Sequence, residues 1–278
     1  MKFAEASLIV VSYNMTPLRK EVMDKFIGRI CEQKLDFEIV SVQLLRNGEC
    51  PALFEFAQKE MKYTFIREEE ENQGLWQKEA LINIGIEKCE TENILLFDAD
   101  VYSHDIKWFD KIIERMTDHR VLQCFSLCYP DSYDNEPIFQ SLGMAKSGQF
   151  DLPINHGLCH AIPRKLLEKN GGLNPYFIYG GGDSLFLREY TEEKLEWIDD
   201  YPHLKEVVRD TIQWDYNYVD TEVIHISHRE GNKDYDTRHD KFAKIKKSIH
   251  DLVTIEKGLL TWKNSSSKLL KTFDKLIV

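Results

Sequence analysis

The sequence predicts an α/β domain built on a mostly parallel sheet flanked by helices. Three observations point there. Two continuous apolar runs, one at residues 7–11 and one at Asn93–Phe97, each end in polar residues. Helical patterns alternate with strand-like runs as far as residue 100. The balance of 42% hydrophobic and 30% charged residues suits a folded chain with a sizeable core.

Ser7-Leu8-Ile9-Val10-Val11 is the first strand, apolar throughout as a strand buried on both faces must be, and Ser12-Tyr13-Asn14 close it. Pro17 suits the first turn of a helix, which Val22, Phe26, Ile27 and Ile30 carry at helical spacing to about Gln33. Phe37–Leu45 reads as the second strand and Phe65-Ile66 as a short third. Acidic residues 68–71 read as a solvated loop, and Asn72-Gln73-Gly74 as a break. Residues 76–88 are expected as a helix with Ala80, Leu81 and Ile84 on one face. Asn93–Phe97 then runs straight into Asp98-Ala99-Asp100.

The second half reads differently. Residues 131–153, rich in Gly, Pro, Ser and Asp, are expected as irregular loops. Residues 162–169 form a short helix with Pro163 in its first turn, stopped by Asn170-Gly171-Gly172. Gly180-Gly181-Gly182-Asp183 precede a helical run to about Tyr190, and residues 223–226 make a last short strand. From Lys241 the pattern is helical to the end, broken at residues 264–267. Without repeat or linker, residues 1–240 form one domain and residues 241–278 a helical C-terminal tail.

Charge and cysteines exclude several classes. Lys and Arg number 36 against 47 Asp and Glu, a net charge of −11, so the basic excess of a general nucleic-acid binder is missing. The six cysteines lie scattered without CxxC spacing, which argues against zinc fingers and a disulfide framework. Cys124 and Cys128 read as free buried thiols in an apolar run. No apolar run approaches the roughly 20 residues of a membrane span, and the opening residues lack a small-residue cleavage site. A cytoplasmic location is the expectation.

Asp98-Ala99-Asp100 is the sharpest chemical signal. Two carboxylates at the carboxyl end of a buried strand stand where open α/β sheets bind ligands. Hard oxygen donors there suit Mg²⁺ or Mn²⁺, and such a cation suits a diphosphate. The plain alternative is a pair of solvated loop acids. Asp183, behind three glycines at a helix start, is either an N-cap or a general base. His225 and His228 offer imidazole to the same cation, or one of them is a structural histidine. Lys78, near a helix start, is a phosphate contact or a solvated lysine. Phosphate loops of the GxxxxGK type and GxGxxG and GxSxG signatures are absent.

In order, these segments resemble the GT-A nucleotide-sugar glycosyltransferases of the large inverting family-2 type. The second half is similar to the carboxyl-terminal region of β-1,4-galactosyltransferases and chondroitin polymerases. The resemblance is carried by Val11-Ser12-Tyr13-Asn14, Lys78-Glu79-Ala80-Leu81-Ile82-Asn83-Ile84-Gly85, Phe97-Asp98-Ala99-Asp100, Tyr179-Gly180-Gly181-Gly182-Asp183 and His225-Ile226-Ser227-His228. It implies a Rossmann-like catalytic domain with a donor-nucleotide half at 1–100 and an acceptor and base half at 101–240. It implies Ser12, Tyr13, Asn14, Lys78 and Asp98 at the donor, and Asp100, His228 and His225 on the metal. Asp183 would be the catalytic base, with Tyr179, Gly181 and Gly182 beside the acceptor. Residues 229–242 resemble the segment that closes over bound donor. Three departures stand out: Gly182 replaces the family's glutamate before the base, Gln43 stands where an aspartate often recognises the nucleotide base, and Leu185 replaces an acid in the following helix, with Arg188 one residue earlier than the family arginine.

The implied activity is a metal-dependent inverting, hexosyltransferase-like transfer, from a UDP-sugar or other nucleotide sugar to an acceptor hydroxyl of a glycan, with Mn²⁺ or Mg²⁺ as cofactor. One alternative acceptor is a hydroxyl on a nucleic-acid base, against which the net charge argues. The rival from another class is a non-catalytic sugar-nucleotide or glycan-binding protein with a decayed site. Lysines of the tail suit either packing on the domain or peripheral contact with an anionic membrane surface.

Overall fold

The computed structural model describes residues 5–13, 17–32, 37–46, 48–51, 61–67, 75–117, 120–176, 182–183, 186, 215–226 and 248–263. The first half of the chain contributes β1 (Ala6–Tyr13), α1 (Pro17–Glu32), β2 (Phe37–Leu45), β3 (Met61–Arg67), α2 (Lys78–Lys88), β4 (Asn93–Phe97), β5 (Val101–Tyr102) and α3 (Trp108–Arg115). Next come β6 (Arg120–Gln123), β7 (Leu127–Pro130), β8 (Phe139–Gln140), α4 (Leu142–Ser147), β9 (Cys159–Pro163) and α5 (Arg164–Lys169). The last described elements are β10 (Asp215–Tyr218), β11 (Val223–His225), α6 (Ile249–Leu252), β12 (Val253–Glu256) and β13 (Leu259–Trp262).

Seven strands form the main sheet in the order β10-β6-β9-β4-β1-β2-β3. Its pairings are parallel except around β9, which runs against β4 and β6. Leu8 and Val10 of β1 pack with Phe26 and Ile27 of α1 and with Trp108 and Phe109 of α3. Ile9, between them, faces the other way, toward Leu81 and Ile82 of α2 and Leu166 of α5. Both faces are therefore covered, which is why the strand is apolar at every position. A smaller sheet, β5-β11-β7-β8, lies beyond the main one in sequence order from β4.

The chain runs outward from β1 to β2 and β3, then returns to place β4 on the opposite side of β1. Strand order reverses between β1 and β4, and that is where an open α/β sheet leaves a crevice beyond its carboxyl ends. Ser12-Tyr13 and Asp98-Ala99-Asp100 leave the sheet at that point.

Helix α2 is seated over the crevice by three devices. A Cβ at Gly85 would lie 2.7 Å from Ile9 Cγ2, so glycine lets the helix close on β1. Asn83 Nδ2 donates to the Leu173 carbonyl at 2.8 Å, and its Oδ1 accepts from the Leu173 amide at 2.7 Å. Gln77, buried just before the helix, does the same with Leu260: Nε2 donates to its carbonyl at 2.8 Å and Oε1 accepts from its amide at 3.0 Å. Each amide side chain thus imitates one step of a β-ladder.

Several sequence expectations need correction. The residues taken for a helix start at 162–163 end β9, with Pro163 at the cap of α5. Cys159 to Pro163 is buried throughout, and pairing with β4 and β6 outweighs the local helical pattern. Within 131–153, expected as loops, lie β8 and α4. Ser141 caps α4 by accepting from the Met144 amide at 3.1 Å, and Gly148 ends it at φ 70°. β3 extends from Met61 to Arg67 rather than covering two residues, and α2 begins at Lys78.

Where it is described, the tail is helical for one turn only. One turn, α6, is followed by the β12–β13 hairpin. Lys257 and Gly258 both have positive φ, 51° and 83°, as a two-residue turn of the hairpin type requires, and the β-branched run Val253-Thr254-Ile255 suits a strand. The remaining tail residues lie outside the described ones, and β11 is not the last strand. Cys124 and Cys128 are free and buried, as expected. Among the described residues no helix is long and apolar enough to cross a membrane.

Candidate active site

Asp98-Ala99-Asp100 forms the turn leaving β4. The Val101 amide donates to the Asp98 carbonyl at 3.2 Å, and the Asp98 amide donates to the Leu158 carbonyl at 2.7 Å. Leu158 holds φ at 70°, unusual for a branched residue, so this turn is anchored on strained backbone. Beyond the turn, β5 pairs antiparallel with β11 and sets His225 opposite Val101. That pairing brings His225 Nε2 to 3.3 Å from Asp100 Oδ2.

Lys78 opens α2 and points at the same turn. Its Nζ lies 2.7 Å from Asp98 Oδ1, and 3.3 and 3.4 Å from the two carboxylate oxygens of Asp183. Asp183 belongs to a helical turn with Gly182. It lies against Gly157, where a Cβ would come within 2.8 Å of its Oδ2. Burial opposes the Lys78 charge, but Asp183, Asp98 and Glu79 outweigh it and hold the ammonium well above the ordinary lysine range. Burial also pushes the Asp98 carboxyl up, against the pull of Lys78.

Two further groups face this cluster that sequence reasoning did not single out. Glu79 is buried beside Lys78, and its Oε2 has no hydrogen-bond partner among the described residues. Burial drives its carboxyl up to about 8, Lys78 opposing and Asp183 adding to the rise. His160, on β9, is also buried, with Nε2 unpartnered among the described residues and its ring edge-on to Phe186 at 5.1 Å. Burial lowers it to about 4, so it is a neutral imidazole at physiological pH. Glu79, His160, Lys78, Asp98, Gly157 and Asp183 line one narrow pocket of about 30 Å³, room for little more than water. The one signal in sequence was a charged residue directly before Ala80-Leu81-Ile82, on a helix face otherwise apolar.

The sign of the Glu79 shift gives a test. Its carboxyl holds a proton more tightly folded than unfolded, so stability is full below about 4.5 and is lost as pH rises toward about 8. Glu79→Gln removes that loss. The variant is expected to melt at least about 3 °C above wild type at pH 8 and level with it near pH 4.5. An equal difference at both pH values would show that Glu79 is not held protonated.

Of the other expected residues, Ser12 is buried at the end of β1, its Oγ unpartnered among the described residues. Tyr13 ends β1, and Gln43 of β2 sits in register with Ser12. Asn14, Tyr179, Gly181 and His228 lie outside the described residues. Adjacent ligands of one divalent cation, each about 2.1 Å from it, stand about 3 Å apart. Asp100 and His225, at 3.3 Å, fit that spacing as one oxygen and one nitrogen donor. Among the described residues no group of three such donors forms.

A family model described as Glycosyl transferase family 2 matches residues 7–195. No curated protein matches the chain. Among solved structures, the catalytic domain of Drosophila β1,4-galactosyltransferase 7 with xylobiose is similar at 10% identity, over 95% of this chain and 97% of that one, with a TM-score of 0.48. S. aureus TarS 1–349 with UDP-GlcNAc is similar at 16% identity, over 82% of this chain and 60% of that one, with a TM-score of 0.47.

Proposed function

The chain belongs to glycosyl transferase family 2, and from that premise we propose that it moves a sugar from a nucleoside diphosphate to a glycan hydroxyl with inversion. A UDP-sugar is the proposed donor. The observation that carries this reading is the meeting of Lys78, Asp98 and Asp183 beside the Asp100–His225 pair, at the carboxyl edge where strand order reverses.

In this reading Asp183 takes the proton of the acceptor hydroxyl as that oxygen attacks the anomeric carbon. The bond from that carbon to the diphosphate breaks, and the nucleoside diphosphate leaves with the bonding pair. Lys78 meets the departing phosphate, its ammonium reinforced by the positive end of α2. To do so it exchanges Asp98 and Asp183 for the diphosphate, which frees Asp183 as the base. Asp98 contacts donor hydroxyls, and Ser12, Tyr13 and Asn14 lie toward the nucleotide. Asp100, His225 and His228 would hold Mn²⁺ or Mg²⁺, which when bound supplies positive charge to the diphosphate.

Metal dependence tests the reading. UDP or a UDP-sugar with Mn²⁺ is expected to raise the melting temperature, and EDTA to abolish both that shift and donor turnover. At a hundredfold excess over its dissociation constant the ligand stabilises by about 2.7 kcal/mol. Asp100→Ala should lose the Mn²⁺ requirement together with the activity. If no nucleoside diphosphate or nucleotide sugar stabilises the protein or turns over with either cation, the reading fails.

A further inference from the structure

We propose that Glu79 is an acceptor-binding residue, its carboxyl reaching the acceptor through the space that Gly182 leaves beside Asp183. The proposal rests on the reading of Asp183 as the base. It assigns the acceptor a chemical class: a pyranose carrying a second hydroxyl next to the one that Asp183 deprotonates.

Three observations support it. The first is steric. A Cβ at Gly182 would overlap the Glu79 carboxyl, with Cδ 2.5 Å and Cγ 2.9 Å away. The side-chain volume missing at 182 is thus filled by a carboxyl delivered from another element. The second is the unspent bonding capacity of that carboxyl. It is 4% exposed, and its Oε2 has no partner among the described residues, whereas buried carboxyls are ordinarily paired. The neighbouring Lys78 ammonium makes its ion pairs with Asp98 and Asp183. The third is location. Glu79 lines the same narrow pocket as Asp183, Asp98 and His160.

Two carboxyls lining one narrow pocket, one attached to residue 183 and one pressed against residue 182, suit the edge of a sugar ring that brings two adjacent hydroxyls to the pocket while the ring itself stays outside. Asp183 takes the proton of the first. Glu79, buried and largely protonated at neutral pH, donates its proton in a hydrogen bond to the second. An acceptor without the second hydroxyl leaves Glu79 unpaired, and a site built to hydrogen-bond a hydroxyl discriminates strongly against its absence.

The test uses the full chain, UDP-sugars with Mn²⁺, and p-nitrophenyl β-glycosides of xylose, glucose, galactose and N-acetylglucosamine as acceptor probes. For the best glycoside, Glu79→Ala should raise KM about tenfold or more while the dissociation constant of UDP changes less than about threefold. Glu79→Gln, which preserves shape, guards against loss of fold and should also raise KM. Gly182→Glu should lower the melting temperature through the overlap, and Glu79→Ala with Gly182→Glu should restore it. The assignment is overturned if both Glu79 variants keep the wild-type KM, or if the double variant melts no higher than Gly182→Glu. Donor turnover with no glycoside accepted overturns the acceptor class. Absence of UDP binding and of turnover in wild type sinks the parent reading, and this one with it.

Discussion

Asp183→Asn is expected to lower sugar transfer by about 10² to 10⁴, the range that general-base catalysis supplies. An amide of the same shape keeps contact with Gly157 and accepts a hydrogen bond from Lys78, but it cannot take the acceptor's proton. Donor binding should be retained, because Lys78 keeps its 2.7 Å partner Asp98 until the diphosphate displaces it. The measurement is the transfer rate at saturating donor, paired with UDP binding by calorimetry. A rate within a few-fold of wild type would remove Asp183 from the mechanism.

Lys78→Met should act on affinity and on stability together. A charge-assisted hydrogen bond contributes about 1.5–3 kcal/mol, so UDP affinity is expected to fall by about 10- to 150-fold. Stability should fall as well, since Lys78 is the cation that Asp98 and Asp183 share, with Glu79 close behind. Breaking a buried ion pair from one side costs about 3–5 kcal/mol, and the partial exposure of both aspartates puts this case at the lower end. The loss belongs to the charged carboxylates. Without the cation their proton affinity rises, so the destabilisation is largest near pH 8 and shrinks as they protonate toward pH 4. Denaturant unfolding of the variant and of wild type at pH 5 and pH 8 checks the sign; a pH-independent difference would mean that Lys78 is held for packing alone.

What the sequence revealed follows the locality of each signal. β1 and β4 are legible because burial on both faces demands an apolar residue at every step. Phe37–Leu45 matches β2, and Asp98-Ala99-Asp100 is legible because it directly follows such a strand. β9 was not, since its place between β4 and β6 depends on pairing with segments far away in the chain, and its own residues suit a helix start equally. The hairpin was hidden for a related reason: its apolar residues continue the helical pattern that begins at Lys241, and only Lys257-Gly258 marks the turn.

The site divides in the same way. Lys78 and Asp183 are 105 positions apart, and their meeting was available only through the family resemblance. Glu79 drew no reading of its own in the sequence beyond its place in the segment 78–85. Its burial depends on Gly182, whose missing side chain reads in sequence as a simple loss. Gly157 and His160 carried no motif, because one acts through the space it leaves and the other through a strand pairing.

The link between Gln77 and Leu260 spans 183 positions and uses only the main chain of Leu260. Such a link is indifferent to which side chain stands at 260, provided that it fits the buried position there. It is not indifferent to count. Inserting or deleting one residue between 253 and 260 would turn a different amide and carbonyl toward Gln77, or none. Position 260 can therefore drift among apolar residues that keep an amide N–H, while the hairpin is constrained in length. The start of α2, with Lys78 and Glu79 one and two residues beyond Gln77, inherits that constraint.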